Sequence, residues 1–191
     1  MENARENFTV AKEQSQRAFQ IITRLSSFAK KGVHQAPEIA RVNLADILDN
    51  IFPLLRFDLV TNNIQLEKTI PSEAAWVLAD RGYLEEVFFN LIVNAAQAIK
   101  SLKRGGLIRV ASQAVHESVR ITIEDNGPGM SGQALAHLFE PFYTTKEEGT
   151  GLGLYVTKQL VEKIGGKIGV ESEAGKFTAF ILEFKTAGDW K

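Results

Sequence analysis

Three segments from residue 88 onward constrain this chain more than anything else in it. They read FFNLIVNAAQAI at Phe88–Ile99, EDNGPGM at Glu124–Met130 and FEPFYTTKEEGTGLGL at Phe139–Leu154. Each alone is a weak signal. In this order, with helical periodicity beneath the first and a strand leading into the second, they demand a particular arrangement. A helix flank, a strand-end turn and a glycine-rich helix start must surround one cavity.

The rest of the chain supplies the frame. Between residues 4 and 31 there is no proline or glycine, and Phe8, Ala11, Ser15, Ala18, Ile22, Leu25 and Ala29 recur at alternating spacings of three and four. That is the seam of a helix packed in a bundle. Phe19, Ile21 and Phe28 widen the stripe beyond one partner's reach, so a helix about 40 Å long calls for a hairpin partner and a second copy of the chain. Gly32 and Pro37 then punctuate the sequence. The expected regions are a bundle-forming helix over 1–36, a hinge over 37–41 and a compact domain over 42–187.

Within that domain, Asn43 is suited to cap a helix carrying Leu44, Ile47, Leu48, Ile51, Leu54, Leu55 and Leu59 on one face, with Pro53 expected to kink it. Strands are predicted at Ile64–Ile70 and Trp76–Ala79, and a helix from Asp80 as its cap to about Leu102. A hairpin follows, Leu107–Val115 and Ser118–Glu124, turning at His116-Glu117. A short helix near Gln133–Leu138, a longer one over Leu152–Ile164 and a strand pair at Lys167–Ser172 and Lys176–Phe184 complete the chain. Irregular alternation with two hairpins predicts an α+β fold, a two-layer α/β sandwich with a mixed sheet preceded by one long helix.

With a net charge of −1, no global field draws the chain to nucleic acid or an anionic membrane. The lack of cysteine removes disulfides, thiolate metal sites and thiol nucleophiles together. No apolar run approaches the roughly 18 residues of a spanning helix, and MENARENFTVAKEQ has no signal-peptide core. A cytoplasmic location is expected, with any membrane attachment through a segment outside this sequence.

On the helix from Arg81, residues Glu86, Asn90, Asn94 and Gln97 fall at spacings of four, four and three, a polar flank beside an aliphatic face. Asparagine is a mediocre helix former, so two of them one turn apart call for a chemical reason. A neutral amide oxygen suits the octahedral shell of Mg2+, whose other ligands are phosphate oxygens and water. It adds no negative charge beside a triphosphate. Glu86, two turns from Asn94, reads as a surface residue.

Arg120–Asp125 alternates as a half-buried strand and runs into Asn126-Gly-Pro-Gly129. Glycines two and four positions after a carboxylate let a flat ring approach the backbone. Asp125 suits an exocyclic amine such as adenine N6 and opposes guanine, whose acceptor would face it. Gly149-Thr-Gly-Leu-Gly153 opens a helix, where backbone N–H groups and the helix dipole make an anion cradle. Its spacing fits neither a dinucleotide fingerprint nor a P-loop. Lys146 adds positive charge for a terminal phosphate, and Thr144 and Thr145 add hydroxyls. The stretch between Asn126 and Gly149 has the composition of a lid that orders on a ligand.

These segments resemble the ATP-binding domain of sensor histidine kinases, within the superfamily shared with DNA gyrase, the MutL mismatch-repair proteins and the 90-kilodalton heat-shock chaperones. The resemblance runs from about Val42 to Phe184. Asn90-Leu-Ile-Val-Asn94-Ala is similar to the family's N-box, which implies Asn94 as the Mg2+ ligand, Asn90 assisting, and Gln97 on the nucleotide flank. Asp125-Asn-Gly127-Pro-Gly129-Met130 is similar to the first glycine box, with Asp125 reading adenine. Phe139–Lys146 resembles the F-box variant of nitrogen-regulation and oxygen-sensor kinases. Gly149, Thr150, Gly151, Leu152, Gly153 and Leu154 resemble the second glycine box, and Gly175–Phe180 a degraded third one. Phe177 stands where that third box usually has glycine, which leaves Thr178 as a contact and no phosphate role for the loop. The first helix resembles the second helix of the dimerisation hairpin, ending in Ile22–Phe28.

The resemblance implies ATP and Mg2+ as cofactors, a phosphoacceptor hairpin and a response regulator as partners, and a homodimer in the full-length protein. Its phosphoacceptor lies in a His-Glu/Asp context followed by Asn-Pro, which none of His34, His116 and His137 has. These three are expected to be structural or solvated, and the acceptor to be missing from this chain or supplied in trans. In the superfamily's hydrolysing branches a glutamate one turn before the Mg2+ asparagine activates water. Asn90 stands there and takes no proton near neutrality. Transfer to an imidazole would then rest on positioning and charge neutralisation by Mg2+ and Lys146, which makes Asn90 and Lys146 the catalytic candidates. Two other readings stay open: a nucleotide-binding regulatory module without transfer, and a conformational ATPase, which Asn90 disfavours.

Overall fold

A computed structural model of the chain describes residues 36–102, 104–146 and 149–187. The helix read over residues 4–31 and His34 lie outside them. The chain divides into two compact units, Met1–Ala36 and Pro37–Lys191, and the described residues belong almost wholly to the second.

Strand β1 (Ala40–Asn43) ends at the residue expected to cap a helix. The Asn43 Oδ1 accepts the Ala45 and Asp46 N–H groups at 2.8 and 3.3 Å, which starts α1 (Leu44–Thr61). That helix buries Leu44, Ile47, Leu48, Ile51, Leu55 and Leu59. Leu54, assigned to the same face by periodicity, is exposed, because it lies off the axis that Ile51 and Leu55 define. Pro53, expected to kink the helix, does not end it. Pro53 lies on the exposed side, where water can take the carbonyl its missing N–H leaves free.

There follow β2 (Ile64–Thr69), a 3-10 turn at Ser72–Ala74, β3 (Trp76–Ala79), α2 (Arg81–Lys100), β4 (Gly106–Val115), β5 (Ser118–Asp125), α3 (Gly132–His137), α4 (Gly153–Lys163), β6 (Lys167–Glu173) and β7 (Phe177–Lys185). The main sheet has the order β2-β4-β5-β7-β6. β2 runs parallel to β4 and the other neighbours are antiparallel, the mixed sheet that the hairpins predicted. β1 pairs with β3 as a separate antiparallel ribbon. Its four residues, ARVN, carry no alternation that would mark them as a strand.

The sheet has one dry face and one wet face. Ile108, Val110, Val119, Ile121, Ile123, Phe180, Leu182 and Phe184 pack with Leu84, Phe88, Leu91, Ile92 and Ile99 of α2 and with Leu160 and Val161 of α4. On the other face Arg109 bridges Glu67 and Glu124, and Arg120 pairs with Glu183. Each such exposed pair contributes a few tenths of a kcal/mol at most, but together they keep that face in water.

Helix α2 is the centre of the helical layer, packed on α1, α4, β4 and β5. Tyr83, Asn90, Val93 and Ala96 are buried in addition to its expected apolar face. Glu86 is half-buried and engaged by a neighbour, which corrects its reading as a surface residue. At the far end, Lys163 Nζ donates to Tyr83 Oη at 3.1 Å and lies 4.9 Å from the ring centre. This pins the end of α4 to the start of α2.

Candidate functional site

Asp125 is the last residue of β5 and only 3% exposed. Thr178 on β7 is its register partner, and Ser172 on β6 is the partner of Thr178. Three polar side chains thus form a row at the end of an otherwise aliphatic face. The Gly127 N–H donates to Asp125 Oδ1 at 2.8 Å, an Asx turn that folds the chain back over the strand end. Burial pushes the Asp125 carboxyl up to about 6. The Gly127 N–H opposes that rise, neighbouring Glu124 adds to it and the Lys146 ammonium opposes it.

Two devices hold the glycine turn. Asn126 closes it against β4: its N–H donates to the Leu107 carbonyl at 3.2 Å and its Oδ1 accepts the Leu107 N–H at 2.8 Å. The Asp-Asn-Gly sequence directly after the strand is the local signal for such a turn. The β6–β7 hairpin grips the turn from the other side. Gly175 donates to the Pro128 carbonyl at 2.6 Å, and Met130 donates to Ser172 Oγ at 2.9 Å. Gly129 has φ +64°, and a Cβ on it would lie 2.1 Å from the Glu173 carbonyl oxygen. The degraded third glycine segment is therefore a buttress for the first.

Along α2 the polar flank is graded. Asn90 is 2% exposed, Asn94 is half-buried and Gln97 is exposed, so the amides lead from the core to the surface. Gln97 Oε1 accepts a 2.7 Å hydrogen bond from Lys146 Nζ, which ties the loop before α4 to this helix. Thr144 Oγ1 accepts the Lys146 N–H at 3.1 Å, so as placed it shapes the turn; Thr145 is exposed. Gly151 has φ +66°, and its missing Cβ leaves room for the Phe142 backbone, whose N–H bonds the Gly151 carbonyl at 3.0 Å. Thr150 Oγ1 accepts from Leu152 at 3.5 Å. α4 starts at Gly153, one residue later than predicted, with Leu152 at the cap and no side-chain cap bond.

Two clusters result. Asp125, Gly127, Gly129, Met130 and Thr178 form one, and Gln97 with Lys146 the other. They meet where Gly127 abuts Ala98 of α2. The two described histidines have other company: His137 Nδ1 lies 2.9 Å from Glu140 Oε1 and its ring 5.6 Å from Tyr143, while His116 takes φ +53° in the β4–β5 turn.

The family model described as histidine kinase-, DNA gyrase B-, and HSP90-like ATPase matches residues 79–188, more than half of the chain. The match takes in the amide flank, the glycine turn, the start of α4 and the β6–β7 hairpin. The chain belongs to this ATPase family. The membership expected from the three motifs is borne out, as is the α+β fold. Sporulation kinase A of Bacillus subtilis is 32% identical over 184 residues, which are 96% of this chain and 30% of that protein. The chain thus spans less than a third of that curated relative's length. The nucleotide-free catalytic domain of histidine kinase ThkA is 30% identical with a TM-score of 0.68, over 78% of this chain and 96% of that one. Full-length ShkA in complex with AMPPNP is 26% identical with a TM-score of 0.76, over 97% of this chain and 40% of that one. Among the described residues no helix is long and apolar enough to cross a membrane.

Proposed function

We propose that this chain is the ATP-binding catalytic core of a protein-histidine kinase. It binds Mg·ATP between the amide flank of α2 and the glycine-rich start of α4, and passes the γ-phosphoryl group to a histidine on a phosphoacceptor hairpin. A phosphorus–nitrogen bond forms as the bond to the ADP oxygen breaks. From the histidine the group goes on to a response regulator, and the full-length protein acts as a homodimer.

The observation that carries this reading is residue 90. It is buried one turn before Asn94, where the hydrolysing branches of the family use an acid, and its amide has no proton affinity near neutral pH. Without a base aimed at water, the phosphoanhydride persists until an acceptor is brought to it. Asp125 accepts from the adenine amine, Thr178 lies beside it, and Lys146 and the first-turn N–H groups of α4 face the phosphates.

The donor set fits Mg2+. The α2 flank offers neutral amide oxygens, and among the described residues no group of three or more His, Cys, Asp or Glu could hold a metal by itself. Asn94, with Asn90 behind it, would hold a Mg2+ that supplies charge neutralisation to the phosphates when bound.

The test mixes the chain with Mg·ATP and a separately made acceptor hairpin. Acid-labile phosphate on the hairpin is expected, falling about a hundredfold in Lys146→Ala. Phosphate release at one rate with or without the hairpin would make the protein an ATPase instead. Asn94→Asp is expected to shift the Mg2+ dependence of nucleotide binding, because a charged ligand replaces a neutral one. Superimposable Mg2+ titrations would remove Asn94 from the metal's shell.

A further inference from the structure

The protons in the polar row at the end of the sheet can be counted. Ser172 has one hydroxyl proton and two lone pairs. Its Oγ lies 2.7 Å from the Phe177 carbonyl oxygen, a group that can only accept, so the proton goes there. The same Oγ accepts the Met130 N–H at 2.9 Å. It also lies 3.1 Å from Thr178 Oγ1. With its own proton committed, Ser172 can only accept from that neighbour as well. Thr178 therefore donates to Ser172, and at 4% exposure it has no second proton for its other side. Toward Asp125, its register partner, it presents lone pairs alone.

Resting on the reading of this cavity as an ATP site, we infer that Ser172 is a specificity-determining residue that acts through Thr178. By drawing the Thr178 proton away from the cavity, it makes the sheet end an edge of acceptors, Thr178 Oγ1 beside the Asp125 carboxylate. Such an edge matches the donors of a 6-aminopurine, directly or through a bridging water, and opposes the 6-oxo group of a hypoxanthine or guanine ring. Ser172 acts at a distance: it stands two strands from Asp125 and governs the polarity of the hydroxyl between them. Without it, Thr178 is released to turn its proton toward the base or onto Asp125, and the edge gains a donor.

A purely structural Ser172 would behave differently. Its loss would loosen the Met130 turn and weaken every nucleotide alike, so the ratio of affinities separates the two roles. The experiment measures equilibrium binding of ATP and ITP, whose rings differ at the 6-position and the adjoining N1 proton. It uses the full chain at pH 8, where Asp125 is ionised. Ser172→Ala is expected to lower the preference for ATP over ITP about tenfold, and Ser172→Thr, which keeps the hydroxyl, to retain most of it. An unchanged ratio in Ser172→Ala, whatever happens to the absolute affinities, overturns the inference. Should that variant fail to fold, Thr178→Val decides. It keeps the shape and removes the acceptor, so the preference should shrink, and an unchanged preference there overturns the inference too. Wild-type chain that binds neither nucleotide would sink the reading of the cavity itself. That failure is distinct from one in which wild type and variants prefer ATP equally.

Discussion

Asp125→Asn should weaken ATP binding about a hundredfold or more and, at neutral pH, make the nucleotide-free domain more stable. The loss of binding follows from hydrogen-bond polarity. A carboxylate can only accept, whereas an amide can turn an N–H toward the adenine amine, so a charge-assisted bond is replaced by two donors facing each other. The gain in stability follows from the raised carboxyl, moved from 3.8 to about 6 by burial. Between those two values the folded chain holds a proton that the unfolded chain has released. Stability therefore falls as pH rises through that window, and the full cost, about 3 kcal/mol, is present above it. The amide carries no charge at any pH, and its oxygen can keep the Gly127 N–H bond. Denaturant melts of both proteins at pH 4 and pH 7.5 should show a gap in favour of the variant that opens at the higher pH. ATP binding by the wild type should tighten from pH 5 to pH 7 as the acceptor ionises. A variant with unchanged affinity would mean that the base sits elsewhere.

Gly129→Ala should cost about 3 kcal/mol or more of stability and abolish detectable nucleotide binding. At φ +64° an L side chain is strained by about 1–2 kcal/mol. The added carbon would also lie 2.1 Å from a backbone oxygen of the β6–β7 hairpin, so the turn and the hairpin have to separate. That movement breaks the Met130–Ser172 contact and displaces the N–H groups beside Asp125. Gly132→Ala is the control, because a Cβ there meets nothing within 4 Å and should be neutral or stabilising by up to ~1 kcal/mol. Urea melts and an ATP titration of both variants check the pair. Equal stability for the two would mean that the hairpin does not hold the turn.

Both effects depend on contacts that sequence patterns reach only in part. The alternation of Arg120–Asp125 marked a half-buried strand and put the Asp125 carboxylate at its end. The 3.6 period of α2 told its aliphatic face from its amide flank. Local rules carried that far because each concerns neighbours along one element. Pairing across strands follows no such rule. Nothing around Ser172 announces that it will accept the N–H of a residue 42 positions earlier, or that Lys146 will reach Gln97 across 49 positions. Periodicity misplaced Leu54 because an apolar residue at the edge of a stripe looks the same whether or not a neighbour covers it.

An NMR titration of the 15N-labelled chain with Mg2+ and AMPPNP tests the central claim most directly. The side-chain amides of Asn90, Asn94 and Gln97 should shift together with the backbone signals of Gly127, Gly129, Met130, Gly151 and Gly153, along one saturable curve, and the Asn94 amide should shift less when Mg2+ is left out. If those signals stay still, or if shifts gather elsewhere, as in the groove of α1 lined by Phe52, Pro53 and Arg56, the cavity between α2 and α4 does not hold the nucleotide.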